Sequence, residues 1–338
     1  MALVVYWYDF ICFGIIAGAI FGSLWVLRQR EAAGKLDGGT KYESLLVDRT
    51  DGDDLVGHTP SGHLGSTQLW MTCWSGVHPI WLLATRGASC IVLVGFLAWD
   101  ILRYDTSIFV YYTEWTFTLV IVYFALGTVI SAHGCWMYSN HLMENEESGG
   151  FLKTDSESKS TTATFRTNKI RGTIKVQSRH QQEEIERRAG FWGYLMQSIY
   201  QTCAGAAMLT DIVFWGLIVP FLSIEHFSLN MLMGCMHVLN ALFLLLDTAL
   251  NSMPFPWFRL AYFVLWSCLY VIFQWVLHAC GFTWWPYPFL ELSTPWAPLW
   301  YFCLALVHIP CYGFYAIIVK LKNSTFPRLF PHAYIKSY

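Results

Sequence analysis

A few side chains able to move protons or attack a carbonyl lie inside the long apolar tracts of this chain. They are Thr116, Glu114, Asp211, His237, Asp247, His278 and His308, accompanied by the amides Asn240 and Gln274. Ionisable groups at membrane depth are costly to keep there, so each is a candidate functional residue. A threonine hydroxyl becomes a nucleophile when a base takes its proton, and a neutral imidazole is the usual base. Thr116 as nucleophile and His237 as general base make the simplest such pair. Asn240, one turn beyond His237, or His278 could orient that base. Glu114, Gln274, His308 and Asp211 complete a supporting polar set. The same residue types also hydrogen-bond helices to one another, and that is the competing reading. A third reading is a transporter, with Asp211, His237 and Asp247 as a proton relay. It finds no inverted repeat and no pair of Gly/Pro-broken helices to support it.

The elements that must position these groups are spanning helices, each needing about 20 apolar residues. The chain has 338 residues, 55% hydrophobic and 13% charged, with net charge −2, which excludes a nucleic-acid binder. Seven apolar tracts are read at 3–27, 86–102, 108–132, 200–222, 228–250, 258–281 and 296–319. The second is short, and the fourth belongs to an apolar stretch starting near Phe191. The expected fold is all-α: a polytopic bundle with a six-helix core and an N-terminal anchor. Its units are the anchor (1–27), a loop (28–85), spans two and three (86–132), a second loop (133–190), spans four to seven (191–320) and a tail (321–338).

With a rise of about 1.5 Å per residue, Thr116 lies about 12 Å below the outer end of its span. His237 comes out at about 14 Å, Gln274 at about 10 Å, Asp211 at about 16 Å and His308 at about 18 Å. Five helices thus contribute to one polar layer. In the fifth span His237, Asn240, Asp247 and Asn251 fall on a stripe about 80° wide, which must face other helices or a water-filled cavity.

Charge orients the bundle. Twenty of the 21 Lys and Arg residues can be placed on one side, leaving Arg103 alone on the other. Basic loops stay cytosolic, so the N-terminus is expected outside and the C-terminus in the cytosol. No basic region or small-residue cleavage site precedes the first span, which reads as an uncleaved anchor. Residues 28–65 and 144–190 are polar and hold few large apolar side chains, so neither loop is expected to form a domain. A charged helix at 179–188 reads as a solvated membrane-surface face, and the Ser/Thr run 154–164 as open to phosphorylation. The aromatic segment 69–83 is placed at the cytosolic interface, and the Trp/Tyr-rich loop 282–300 at the opposite one.

Ten Cys without a CxxC, and the scattered His58, His63 and His78, imply neither disulfides nor metal, and no cofactor is implied. Gly14, Gly18 and Gly22 form two overlapping GxxxG motifs, a packing signal within the bundle or between two copies. Pro310 should kink the last span. Asn323-Ser-Thr is a glycosylation sequon on the cytosolic side, where it stays unused.

Three stretches carry a family resemblance: Tyr112-Thr-Glu-Trp-Thr116, the tract 240–259 (NALFLLLDTALNSMPFPWFR) and the tract 275–291 (WVLHACGFTWWPYPFLE). With them the chain resembles the rolling-stone-like multipass membrane proteins, which include uncharacterised plant members. More distantly it is similar to the androgen-induced membrane hydrolases, which cleave fatty-acid esters with an intramembrane Thr and His. That likeness implies Thr116 for the nucleophile and His237, preceded by Met236, for the base. The hydrolases carry a second His three positions earlier, where this chain has Gly234. The first span and both long loops have no counterpart. The resemblance implies a lipid-ester hydrolase taking an acyl ester from the membrane. The alternative is a non-enzymatic scaffold, adhesion or trafficking protein, as the rolling-stone name implies for some relatives. Membrane lipids are the expected surroundings, with the endoplasmic reticulum or another endomembrane favoured over the plasma membrane.

Tags on the two termini, probed with protease in sealed vesicles, check the orientation. The C-terminal tag should be cut from the cytosolic side while the N-terminal tag is protected. Glycosylation at Asn323 in the full-length protein would reverse the assignment.

Overall fold

The computed structural model describes residues 6–47, 64–152, 189–222 and 231–335. Among these, seven helices are long and apolar enough to cross a membrane. They are α1 (Asp9–Val47), α2 (Ile80–Tyr104), α3 (Tyr112–Leu152), α4 (Phe191–Val213), α5 (Met231–Leu250), α6 (Leu260–Ala279) and α7 (Ala297–Leu329). The protein is a multipass membrane helix bundle. The segments 154–164, 179–188 and 223–227, with His58 and His63, lie outside the described residues.

Several elements depart from the sequence expectation. Helix α1 continues to Val47 and α3 to Leu152, past the ends of the spans read from hydrophobicity. Helix α2 starts at Ile80 rather than at Arg86 and runs for 25 residues. Pro79 opens it, and His78 Nδ1 accepts the Ile80 N–H at 3.2 Å, so this His serves a helix start. Helix α4 does begin at Phe191. Helix α7 runs through Pro310 and Pro327 without a break. Gly14, Gly18 and Gly22 face open space, so the within-bundle packing expected of their motifs does not occur.

Two ends can be told apart. At the upper end, Tyr8 OH donates to Ser293 O (3.1 Å), and the loop between α6 and α7 folds over the bundle. At the lower end, the segment 64–79 lies under α5 and pairs with the stretch after α7 through a bridge between Trp74 and Tyr334. Ile335 N donates to Cys73 O at 2.9 Å.

The lower end is polar because α5 stops inside the protein. Pro254 ends the helix, and a helix terminus leaves its last carbonyls without intrahelical donors. Cys73 N–H reaches Leu250 O (2.8 Å), and the Trp74 indole N–H reaches Ala249 O (2.9 Å). Lys322 Nζ donates to Thr248 O (2.9 Å) and Asn251 O (2.8 Å). On the neighbouring face, Gln197 and Gln201 both donate to Pro254 O, and Arg259 donates to Gln197 Oε1 at 2.6 Å.

Above this layer sits a buried ion pair. Arg86 and Asp247 are both 0% exposed, with Nε–Oδ1 at 2.7 Å. Arg86 Nη1 also donates to Leu69 O (2.6 Å) and Ser131 Oγ (2.7 Å). Asp247 Oδ2 accepts from Asn251 Nδ2 (2.8 Å) and from the Tyr123 hydroxyl. The polar stripe of α5 therefore faces inward, with His237, Asn240, Asp247 and Asn251 all buried.

Removing one partner of such a pair leaves a charge buried alone, at about 3–5 kcal/mol. Asp247→Leu or Arg86→Met should therefore lower the thermal midpoint of the purified protein sharply. The double variant should recover most of the loss, while Leu246→Ala on the exposed face should stay within about 0.5 kcal/mol. Losses that simply add in the double variant would show that the two charges do not interact.

Candidate functional site

The upper half of the bundle contains a cleft enclosing about 610 Å³ of empty space, its open mouth included. Helices α3 to α7 and the loop after α6 all contribute to its wall. Apolar and aromatic side chains dominate that wall. His237, His308, Thr113, Thr210 and Ser267 supply scattered polar atoms. An apolar cavity with a few convergent polar groups is the usual form of a small-molecule site.

His237 is held from α4. Its Nδ1 lies 3.3 Å from Asp211 Oδ1, and its ring stacks on Phe214 with centroids 3.7 Å apart at 12°. The local backbone explains how both contacts come from one helix. After Val213 the ladder of α4 widens into a π turn, Phe214–Ile218, before closing again at Val219–Leu222. Pro220 has no N–H to give to Gly216 O, so the α-helical bond there is lost, and glycine resists the change least. Insertion of a π turn next to a functional group is a common device. Here it carries Phe214 onto the imidazole face while Asp211 holds the imidazole edge.

Thr116 is fully buried on α3, and its Oγ1 has no hydrogen-bond partner. No hydrogen bond joins it to His237, and it does not line the cleft. Its height nevertheless matches. Phe124 packs on Phe243, and Tyr123 donates to Asp247, so the parallel helices α3 and α5 run in register two turns below. Carried up by that offset, Thr116 stands level with residues 235–240. Asn240 is fully buried at that level, and neither its Nδ2 nor its Oδ1 has a partner.

The other expected residues are distributed. Glu114 is buried near the top of α3, with Oε2 unpartnered. Gln274 Nε2 donates to Val110 O (2.7 Å) and to the Tyr270 hydroxyl (2.9 Å), tying α6 to the turn before α3. His278 stacks on Trp285 at 3.6 Å, with Nδ1 near Gln274 O and Nε2 near Trp284 O. Both its nitrogens are engaged with the upper loop, so it does not orient His237. Asp211 does that, a role beyond the supporting layer and the proton relay in which the sequence places it. Thr113, one turn above Thr116, lines the cleft together with the hydroxyl-bearing Tyr112, Ser267 and Tyr287. Their spacing alone carried no signal, because the upper loop that closes over them comes from far along the chain. Among the described residues no group of three or more His, Cys, Asp or Glu could hold a metal ion.

Comparisons with protein-family models, with curated proteins and with solved structures find no match. The likeness to the rolling-stone-like proteins and to the androgen-induced hydrolases rests on the motifs alone.

Proposed function

We propose that this membrane protein is an intramembrane lipid-ester hydrolase, with His237 as general base and Thr116 as nucleophile. The observation that carries the reading is the Asp211–His237 pair, whose imidazole lines an apolar cleft while the carboxylate holds it from behind. Asp211 accepts Nδ1–H from His237, which fixes the tautomer and leaves Nε2 free to take a proton. The resemblance supplies Thr116. Its buried, partnerless hydroxyl at the height of His237 supports that choice, because an unsatisfied buried group calls for a role. Attack by Oγ1 on the ester carbonyl, with the proton passing to Nε2, gives an acyl-threonine once His237 protonates the departing alcohol. Water, activated by the same base, then releases the acid. Asn240 Nδ2, with no partner of its own, offers an N–H to the developing oxyanion. Apolar walls suit an acyl chain entering from the lipid, and the endoplasmic reticulum or another endomembrane is the proposed setting.

The competing reading, a non-enzymatic scaffold, is favoured by the missing Thr116–His237 hydrogen bond. Catalytic contacts often tighten only when substrate is bound, so an open pair is compatible with either reading.

A fluorophosphonate probe on the folded, purified protein separates the two. Wild type should label. Thr116→Ala should abolish labelling, and His237→Ala or Asp211→Leu should nearly do so. Asn240→Leu should slow labelling by about a hundredfold. Thr113→Ala should retain it. Loss with Thr113→Ala but not with Thr116→Ala would move the nucleophile to the residue that lines the cleft. A folded wild type that takes up no probe would leave the scaffold as the better account.

A further inference from the structure

A second cavity lies behind the cleft, walled by α1, α6 and α7, and encloses about 400 Å³ of empty space with its mouth. It shares Ser267, Val271, Leu290, Leu304 and His308 with the cleft, so one thin wall separates the two spaces. On its far side stand only apolar side chains of α1, including Ile15, Ile16 and Ala19.

His308 stands in the shared wall and is 7% exposed. Its Nδ1 lies 2.6 Å from Leu304 O. A carbonyl oxygen only accepts, so Nδ1 carries the proton and Nε2 is an acceptor. Nε2 is buried and has no hydrogen-bond partner. The second polar group of that wall is Ser267, whose Oγ lies 2.8 Å from the Tyr112 hydroxyl. Hydroxyls of such a pair can donate as well as accept. Among the described residues no Lys, Arg, Asp or Glu lines either cavity, and a carboxylate or phosphate would enter without a counter-charge.

An acceptor lacking a donor, beside a hydroxyl pair in an otherwise apolar wall, suits an uncharged hydroxyl on an apolar body. We propose that the second cavity and its shared wall bind a lipid alcohol. The apolar body fills the space between α1, α6 and α7. The alcohol donates to His308 Nε2 and accepts from the Ser267–Tyr112 pair. Straight-chain and sterol alcohols share this chemistry. The site goes beyond ester cleavage, since an alcohol offers no ester to cut and binding needs neither Thr116 nor His237.

The test uses full-length protein in phosphatidylcholine nanodiscs and a diazirine-bearing octadecanol as photolabel. Crosslinks should fall on α1, α6 or α7. Unlabelled 1-octadecanol should compete about tenfold better than octadecyl methyl ether, which keeps the chain and the oxygen but has no O–H to donate. His308→Phe should erase that difference, and His308→Gln, which restores an acceptor, should bring part of it back. Ala305→Trp, which fills the second cavity from α7 and leaves the His308 side chain in place, should remove the labelling while the thermal midpoint moves little. Cholesterol as a third competitor assigns the source: stronger than octadecanol means a sterol, weaker means a straight chain. Equal competition by alcohol and ether in wild type would show that water serves Nε2, and would overturn the proposal. Undiminished labelling in a folded Ala305→Trp protein would do the same.

Discussion

The Arg86–Asp247 pair is the interaction on which the lower half of the bundle depends. Asp247 belongs to the inward stripe of α5, Arg86 to α2, and the hydroxyls of Tyr123 and Ser131 bring α3 into the same cluster. Neither charge can stay in the apolar interior alone. Each of the three helices is therefore fixed in rotation by its obligation to the other two. Leu69 O, also bound to Arg86, pins the segment that runs beneath them. With this end locked, the upper half of the bundle has latitude to leave space between helices, and both cavities lie there.

A second constraint is that every helix end in an apolar medium needs donors or acceptors from elsewhere. Helix α5 meets it with Lys322 from α7 and with Cys73 and Trp74 from the segment 64–79. A membrane lysine thus acts as a helix cap, and the charge seen in sequence as a cytosolic-side marker serves the fold directly. Arg259 is also drawn inward, donating to the Gln197 side chain near the foot of α4. A basic residue on this side of the chain can therefore serve the closing of a helix end as well as the orientation expected from charge.

What the sequence made legible was whatever follows from period and depth. The inward stripe of α5 came from 100° steps, and the shared height of Asp211, His237, His308 and Thr116 from a fixed rise per residue. Pairing did not follow, because partners come from distant parts of the chain. Arg86 and Asp247 are 161 positions apart, and an arginine at the edge of an apolar tract looks like its end. The true start of α2, six residues earlier, depended on Pro79 and His78. Asp211 could be placed in the layer but not against His237. The Phe214 ring that stacks on the same imidazole lies in the π turn at Phe214–Ile218, for which Gly216 and Pro220 were the available signal. Gly14, Gly18 and Gly22 show what spacing leaves open: it says that a helix can be approached closely, and it does not say from which side.

The bridge between Trp74 and Tyr334 carries a consequence for how the chain is made. Cys73 to Ser75 leave the ribosome long before Ala333 and Ile335, yet the backbone bonds at the lower end join these two stretches. Trp74 also gathers Phe326, Phe330 and Tyr334 around its indole. The bundle can insert span by span, but its floor is laid last. Until translation passes α7, Trp74 and its neighbours have no lid.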